Sequence, residues 1–113
     1  GAVIALASDL RVASEKAKIA FLFVKVGLAG ADMGAAYLLP RVVGLSRATE
    51  LLMLGDVIDA PTAERYGLFN RVVAHEQCLT EALALATRLA NGPTFALGMT
   101  KEILNTQMHM DLF

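Results

Sequence analysis

Three helical patterns follow one another in the middle of the chain, and each of them stops at a glycine. The stops are Gly44, Gly55 and Gly67. Glycine is common just beyond a helix end because it enters the left-handed backbone region at little cost. The first pattern runs from about Met33 to Val43, with Asp32 in the N-cap position. Pro40 should weaken this helix without abolishing it.

The next two patterns have their own start signals. Ser46 is the predicted cap of the second helix, and the pair Asp59 and Pro61 opens the third. The residues of the second helix that we expect to face inward are Ala48, Leu51, Leu52 and Leu54. The middle of the chain is therefore predicted to be a close series of short helices.

The flanking segments predict strands before this series and longer helices after it. The short apolar segment 1–7 fits either a buried helix start or a strand. Residues 10–13 and 19–24 carry β-branched and aromatic side chains and are predicted strands, and 68–74 is a strand or extended segment. Helices are predicted at 76–90 and 94–108. Their apolar faces comprise Leu79, Ala82, Leu83, Ala86, Leu89 and Ala90, and then Ala96, Met99, Ile103 and Met108.

Composition narrows the class of protein. Apolar residues make up 56% of the 113-residue chain, so we expect further chain or subunits to cover part of its apolar surface. The formal net charge of −1 comes from ten basic and eleven acidic residues spread along the chain, which argues against a nucleic-acid partner. Charged residues interrupt every apolar stretch, so no membrane span and a soluble protein are expected. The single cysteine, Cys78, fits a reducing compartment.

Isolated candidates for site chemistry have simpler interpretations. His75 and His109 have no carboxylate or thiol at ligand spacing, so neither predicts a metal site. Cys78 is interpreted as a small core residue on the apolar side of a helix. The glycine-rich segment 27–34 lacks both phosphate-binding glycine motifs, so it is a weak signal for a phosphate loop.

The order of five sequence blocks is more informative than any single residue. The blocks are GxxxALASD at 1–9, the glycine-rich loop at 27–34, LPRVVG at 39–44, LLMLGDVIDA at 51–60 and GLFNRVV at 67–73. In this order and spacing, the chain resembles the enoyl-CoA hydratase/isomerase, or crotonase, family.

The resemblance implies a fold, an assembly and a class of substrate. The expected fold is α/β, a crotonase-like ββα superhelix, of which this chain would be a fragment lacking the early ββα turns and the last helices. Residues 1–74 would then form the end of the ββα core with the active-site loop, and residues 75–113 would begin the C-terminal helical region. The substrate would be an acyl-CoA thioester, with coenzyme A as part of the substrate rather than a separate cofactor. The assembly would be a homotrimer or hexamer. The expected location is the cytoplasm, in line with the reducing compartment that the single cysteine indicates.

Family members hold the thioester oxyanion with two backbone N–H groups, one of them at the start of a helix, where the helix dipole adds to the hydrogen bond. By resemblance, Gly1 matches the last glycine of the turn at that helix. The donor itself would lie just before Gly1, so Gly1 and Ala2 border the oxyanion hole.

The proton-transfer residues depart from the family pattern. Val3 and Phe23 stand where hydratases of the family carry two glutamates, and neither side chain can transfer a proton. By resemblance, Asp32 matches a carboxylate that acts as acid/base in dienoyl-CoA isomerases and as nucleophile in chlorobenzoyl-CoA dehalogenases. Asp32 as a helix cap without a catalytic role is the alternative. The implied acyl pocket comprises Val3, Phe21, Phe23, Leu28 and Met33.

Two classes of function therefore remain open. One is an acyl-CoA isomerase or hydratase-like lyase that uses Asp32 in fatty-acid or aromatic acyl-CoA metabolism, with hydrolysis or dehalogenation as variants. The other is a catalytically silent crotonase-like module that binds acyl-CoA or serves assembly.

The high apolar content leads to a first prediction. Residues 1–113 expressed alone should be insoluble or unfolded, because their apolar surface would lack the cover that we expect from further chain or subunits. Sedimentation and the dispersion of the amide NMR spectrum test this. A well-dispersed spectrum from a monomer would contradict it.

Overall fold

The computed structural model describes residues 2–22 and 34–108 of the chain. Its helices are α1 (Ala2–Ala7), α2 (Ala35–Val43), α3 (Leu45–Leu54), α4 (Ala60–Tyr66), α5 (Cys78–Ala90) and α6 (Thr94–Met108). Its strands are β1 (Val12–Ser14), β2 (Lys18–Ile19), β3 (Ile58–Asp59) and β4 (Arg71–Val73). A short 3-10 turn, His75–Gln77, precedes α5. The first segment of the chain is therefore a helix, which settles the ambiguity of its sequence pattern.

The predicted glycine stops are confirmed. Helices α2, α3 and α4 end at Gly44, Gly55 and Gly67. Gly55 and Gly67 have φ values of 65° and 88°, in the left-handed region that favours glycine. The Gly55 N–H donates to the Leu51 carbonyl at 3.1 Å, which closes the last turn of α3. Pro40 lies inside α2, as predicted.

Two of the three predicted N-caps are wrong. The N-cap of α2 is Gly34, because its φ of 84° interrupts the helical backbone and the α-helix begins only at Ala35, after the predicted Asp32. The N-cap of α3 is Gly44 rather than Ser46. Gly44 both ends α2 and caps α3, and its carbonyl accepts from the Ala48 N–H at 3.0 Å. The two helices are thus joined by a single residue.

The third predicted cap is confirmed. Asp59 caps α4, and its Oδ1 accepts a hydrogen bond from the Thr62 N–H at 3.0 Å. Pro61 occupies the first turn, where a missing N–H costs no helical hydrogen bond. Hydrogen bonds from the side chain and the backbone of Thr62 lower the pKa of the Asp59 carboxyl.

The strands form two short pairs. β1 and β4 are parallel, with Val12 opposite Arg71 and Ser14 opposite Val73. β2 and β3 are antiparallel. Both β1 and β4 are shorter than the predicted extended segments, and β2 ends at Ile19, so Phe21 lies beyond it. Parallel pairing of strands that are far apart in sequence requires a long connection, which α2, α3 and α4 provide.

The chain divides into two compact units, Gly1–Leu79 and Thr80–Phe113. The core of the first unit is a buried cluster of Leu6, Phe21, Ala35, Leu39, Ala48, Leu51, Ala63 and Leu68. Ala48 and Leu51 are buried as predicted, and Leu52 packs against the cluster, whereas the predicted inward residue Leu54 is exposed. The predicted division into the end of a ββα core, 1–74, and the start of a C-terminal helical region, 75–113, stays a prediction.

Several large apolar side chains of α5 and α6 are exposed to solvent. Leu79, Leu83 and Leu89 on α5 are exposed, as are Met99 and Ile103 on α6. The helices themselves match the prediction: α6 has the predicted bounds, and α5 begins two residues late because the 3-10 turn precedes it. Among residues 2–22 and 34–108, no helix has both the length and the apolar character required to cross a membrane.

The position of Leu39 in the core generates a second prediction. Leu39 is fully buried, so Leu39→Ala should lower the free energy of unfolding of the intact protein by ~2 to 5 kcal/mol through lost transfer energy and a cavity. Urea denaturation measures the change. Leu54→Ala is the matched control because Leu54 occupies an exposed helical position, and an equal loss in both variants would contradict the assignment of Leu39 to the core.

Candidate functional site

The beginnings of α1 and α2 lie side by side. Ala2 and Val3, in the first turn of α1, pack against the buried core cluster that includes Ala35 and Leu39 of α2. The Val3 Cγ1 atom is 3.9 Å from the position that a Cβ atom would take at Gly34. Ala2, which is predicted to border the oxyanion hole, therefore lies in a helix that contacts α2.

Gly34 is the residue at which the glycine-rich loop enters α2. Its φ of 84° is one that residues with a Cβ rarely adopt, although the nearest described atom, Val3 Cγ1, lies at an ordinary van der Waals distance from a methyl group there. A glycine at this position thus serves backbone conformation rather than close packing. Asp32 precedes it by two positions in the sequence.

Several predicted site residues lie outside the described residues. These are Gly1, Phe23, Leu28, Asp32 and Met33. Their assignments to the oxyanion border, the acyl pocket and the acid/base therefore stay predictions. Ala2 and Val3 are described, and both are half-buried near the start of α1.

Phe21 does not match its predicted place in an acyl pocket. Only 2% of its side chain is exposed, and it packs within the buried core cluster beside Leu6 and Leu39. A ring so enclosed presents no free face to a ligand. Phe21 is therefore a residue of the core of the first unit.

Sequence reasoning missed Arg11. Its Nη1 donates to the carbonyl oxygens of Ser8 at 2.7 Å and Ala5 at 3.4 Å, both at the end of α1. Its Nε donates to the carbonyl oxygen of Leu68 at 2.5 Å, in the segment before β4. The only signal in the sequence is a cation between two apolar segments, which also fits an exposed turn.

Other polar side chains of the described part have structural partners. The Arg41 guanidinium lies 3.7 Å from the centre of the Tyr37 ring and donates to the Tyr37 carbonyl, a contact within α2. The Nδ1 of His75 lies 2.8 Å from the Ser14 Oγ at the end of β1. Within residues 2–22 and 34–108, no cluster of three or more His, Cys, Asp or Glu side chains is arranged to hold a metal ion.

Cys78 begins α5 and is half-buried. Its Sγ donates to the Val12 carbonyl oxygen at 3.6 Å. This contact, together with the pairing of His75 with Ser14, links the start of α5 and the turn before it to β1. Cys78 is thus a packing residue, although it is less buried than the predicted core position.

Comparison with known proteins identifies the matching family. A family model described as enoyl-CoA hydratase/isomerase matches residues 1–113. The 1,2-epoxyphenylacetyl-CoA isomerase of Escherichia coli K12 is 41% identical over 106 residues, which cover 94% of this chain and 40% of that protein. A probable enoyl-CoA hydratase of Mycobacterium tuberculosis H37Rv is 40% identical over 104 residues, which cover 92% of this chain and 36% of the relative.

A solved structure agrees with these matches. This structure, from Streptomyces coelicolor A3(2), bears the name of an enoyl-CoA hydratase. Its sequence is 54% identical to this chain, and the two structures superpose with a TM-score of 0.92. The match covers 98% of this chain and 40% of that structure. The chain therefore spans about two fifths of the length of the relatives that it matches.

The backbone of Gly34 gives a third prediction. Gly34→Ala should destabilise the intact protein by about 1 to 2 kcal/mol, because an L-residue is strained at φ of 84° whatever the space around it. Gly98→Ala is the control, since Gly98 lies within α6 without close neighbours and alanine is the better helix former. Chemical denaturation compares them, and equal midpoints for the two variants would refute the conformational role of Gly34.

Proposed function

The chain belongs to the enoyl-CoA hydratase/isomerase family, and from this premise we propose that it supplies the acid/base half of an acyl-CoA thioester site. The predicted crotonase-like α/β fold is confirmed by the family match and by the solved structures. The reaction that we propose is an isomerisation or hydratase-like addition at the acyl group, with Asp32 as the residue that transfers the proton.

The observation that supports this proposal most directly is the place of Val3. Its apolar side chain lies beside Gly34. By resemblance, Val3 stands where hydratases of the family carry a glutamate. Valine cannot take up or deliver a proton, so a proton transfer near this point needs another group. Asp32 is close in sequence to Gly34 and is the acid that the family pattern offers.

The remaining roles follow from the same resemblance. Gly1 and Ala2 border the oxyanion hole, in which backbone N–H groups stabilise the negative charge that develops on the thioester carbonyl oxygen. Val3, Phe23, Leu28 and Met33 form the apolar wall of the acyl pocket. An apolar wall excludes water, so the hydrogen bonds to the oxyanion act in a medium of low dielectric and are stronger.

The relatives support an acyl-CoA substrate and leave the acyl group open. One bears the name of an isomerase of an aromatic acyl-CoA, and another that of a probable enoyl-CoA hydratase. Because the chain spans only part of their length, the activity of the whole protein is a proposal. We propose coenzyme A as part of the substrate without a further cofactor, a homotrimer or hexamer, and a cytoplasmic location.

A second candidate is a catalytically silent member that binds acyl-CoA or serves assembly. Val3 is the described observation that favours it, because the side chain at this position has no proton to exchange. The two candidates make opposite predictions for the role of the Asp32 carboxyl.

The fourth prediction concerns that carboxyl. Asp32→Asn in the intact protein should lower kcat on enoyl-, dienoyl- or aryl-CoA thioesters by about a hundredfold to ten-thousandfold, the usual contribution of a general acid/base. Asparagine has nearly the shape of aspartate and keeps its hydrogen-bonding oxygen but does not ionise, so a purely structural role of the side chain would survive this change. Steady-state kinetics on a thioester panel measures the effect.

Asp59→Asn is the matched control. Asp59 is a helix cap in the described structure and asparagine preserves that function, so this variant should keep both stability and turnover. Unchanged kcat in Asp32→Asn would remove Asp32 from the mechanism. Binding of thioesters by the wild type without any turnover would instead favour the silent module.

A further inference from the structure

Arg11 joins two parts of the first unit through main-chain carbonyl oxygens. On one side its guanidinium donates to Ala5 and Ser8 at the end of α1, and on the other to Leu68. The hydrogen bonds to Ala5 and Ser8 are local in sequence, whereas the bond to Leu68 spans 57 residues and is a tertiary link. They connect α1 directly to the segment that leads into β4.

The backbone of Arg11 is fixed independently of its side chain. Its N–H donates to Asn70 Oδ1 at 2.7 Å, and its carbonyl accepts from the Asn70 N–H at 2.8 Å. The Arg71 N–H donates to the same carbonyl at 3.3 Å, next to the β1–β4 pairing. The guanidinium therefore extends from a backbone that is fixed beside β4, and its hydrogen bonds fix the end of α1 relative to β4.

Helix α1 needs such an anchor for physical reasons. It has six residues, and so short a helix is not stable by itself. The last carbonyl oxygens of any helix lack partners within the helix, and a cation at that end also complements the helix dipole. Burial lowers the pKa of the Arg11 guanidinium while Asp9 raises it, yet arginine stays charged at neutral pH.

We propose that Arg11 is a positioning residue for the thioester site. By holding the end of α1 against the segment 68–71, it determines where Ala2 and Val3 stand relative to Gly34. The inference rests on the function proposed above, and it adds a residue whose described side-chain hydrogen bonds go to main-chain carbonyl oxygens of the protein. Small displacements of a catalytic element reduce turnover strongly, because the reacting groups leave their aligned geometry.

Arg11→Gln and Arg11→Lys in the intact enzyme test the proposal. Arg11→Gln should lower kcat about tenfold or more and leave KM within about twofold, because the oxyanion site is displaced while the substrate-binding surface remains. Arg11→Lys should restore part of kcat, since an ammonium reaches one carbonyl oxygen but lacks the planar fork that serves three.

Two control variants separate positioning from general stability. Arg47→Gln removes an arginine of α3 that contacts Tyr66 of α4 and pairs with Glu50 of its own helix, and it should keep kcat. Leu51→Val weakens the buried core without touching the Arg11 contacts. If Leu51→Val, matched in thermal midpoint to Arg11→Gln, loses as much kcat, the positioning role is overturned.

Amide hydrogen exchange provides a readout that does not depend on turnover. Exchange in residues 2–7 should rise in Arg11→Gln while α3 and α4 keep their protection. Unchanged exchange there, or unchanged kcat in a folded Arg11→Gln enzyme, overturns the inference. If the wild type turns over no thioester, the proposed function fails, and exchange alone then decides whether Arg11 anchors α1.

Discussion

The packing of α2 is the interaction on which the first unit depends. Ala35 and Leu39 on its inner face are fully buried, and the helix contacts both α1 and α3. Removing this apolar face from water stabilises all three helices together, since each is too short to persist alone. Gly34 and Gly44 delimit the helix, so the backbone at these two glycines decides which residues of α2 face inward.

The same packing places the described part of the candidate site. α1 is held along its side by α2 and at its end by Arg11, whose partners lie near β4. Both restraints reach residues distant in sequence: α2 follows α1 by about thirty positions, and the Arg11 side chain continues from α1 to Leu68. A site that includes Ala2 and Val3 thus depends on residues around Leu68. The helices between β1 and β4 supply the long connection that the parallel pairing of these strands requires.

Sequence patterns predicted the features that depend on local backbone chemistry. The stops at Gly55 and Gly67, the Asp59 cap and the bounds of α6 belong to this group. The predicted caps Asp32 and Ser46 failed because glycines precede the α-helices, and Leu54 failed because periodicity alone does not show what covers a helix face. The burial of Phe21 and the contacts of Arg11 depend on partners distant in sequence. Asp32 lies outside the described residues, so its catalytic role stays a prediction.

The single-residue joint at Gly44 restricts how the chain can change its length. Successive residues of an α-helix are rotated by about 100° around the helix axis. One residue inserted between Ala48 and Leu51 would therefore rotate Leu51 away from the side on which Ala48 is buried. Because Gly44 alone joins α2 to α3, there is no longer loop between these helices that could compensate for such a rotation. Substitutions on exposed positions such as Leu45 or Met53 leave this register intact. Variation in this segment should therefore proceed by replacement at constant length, whereas insertions should be confined to connections outside it.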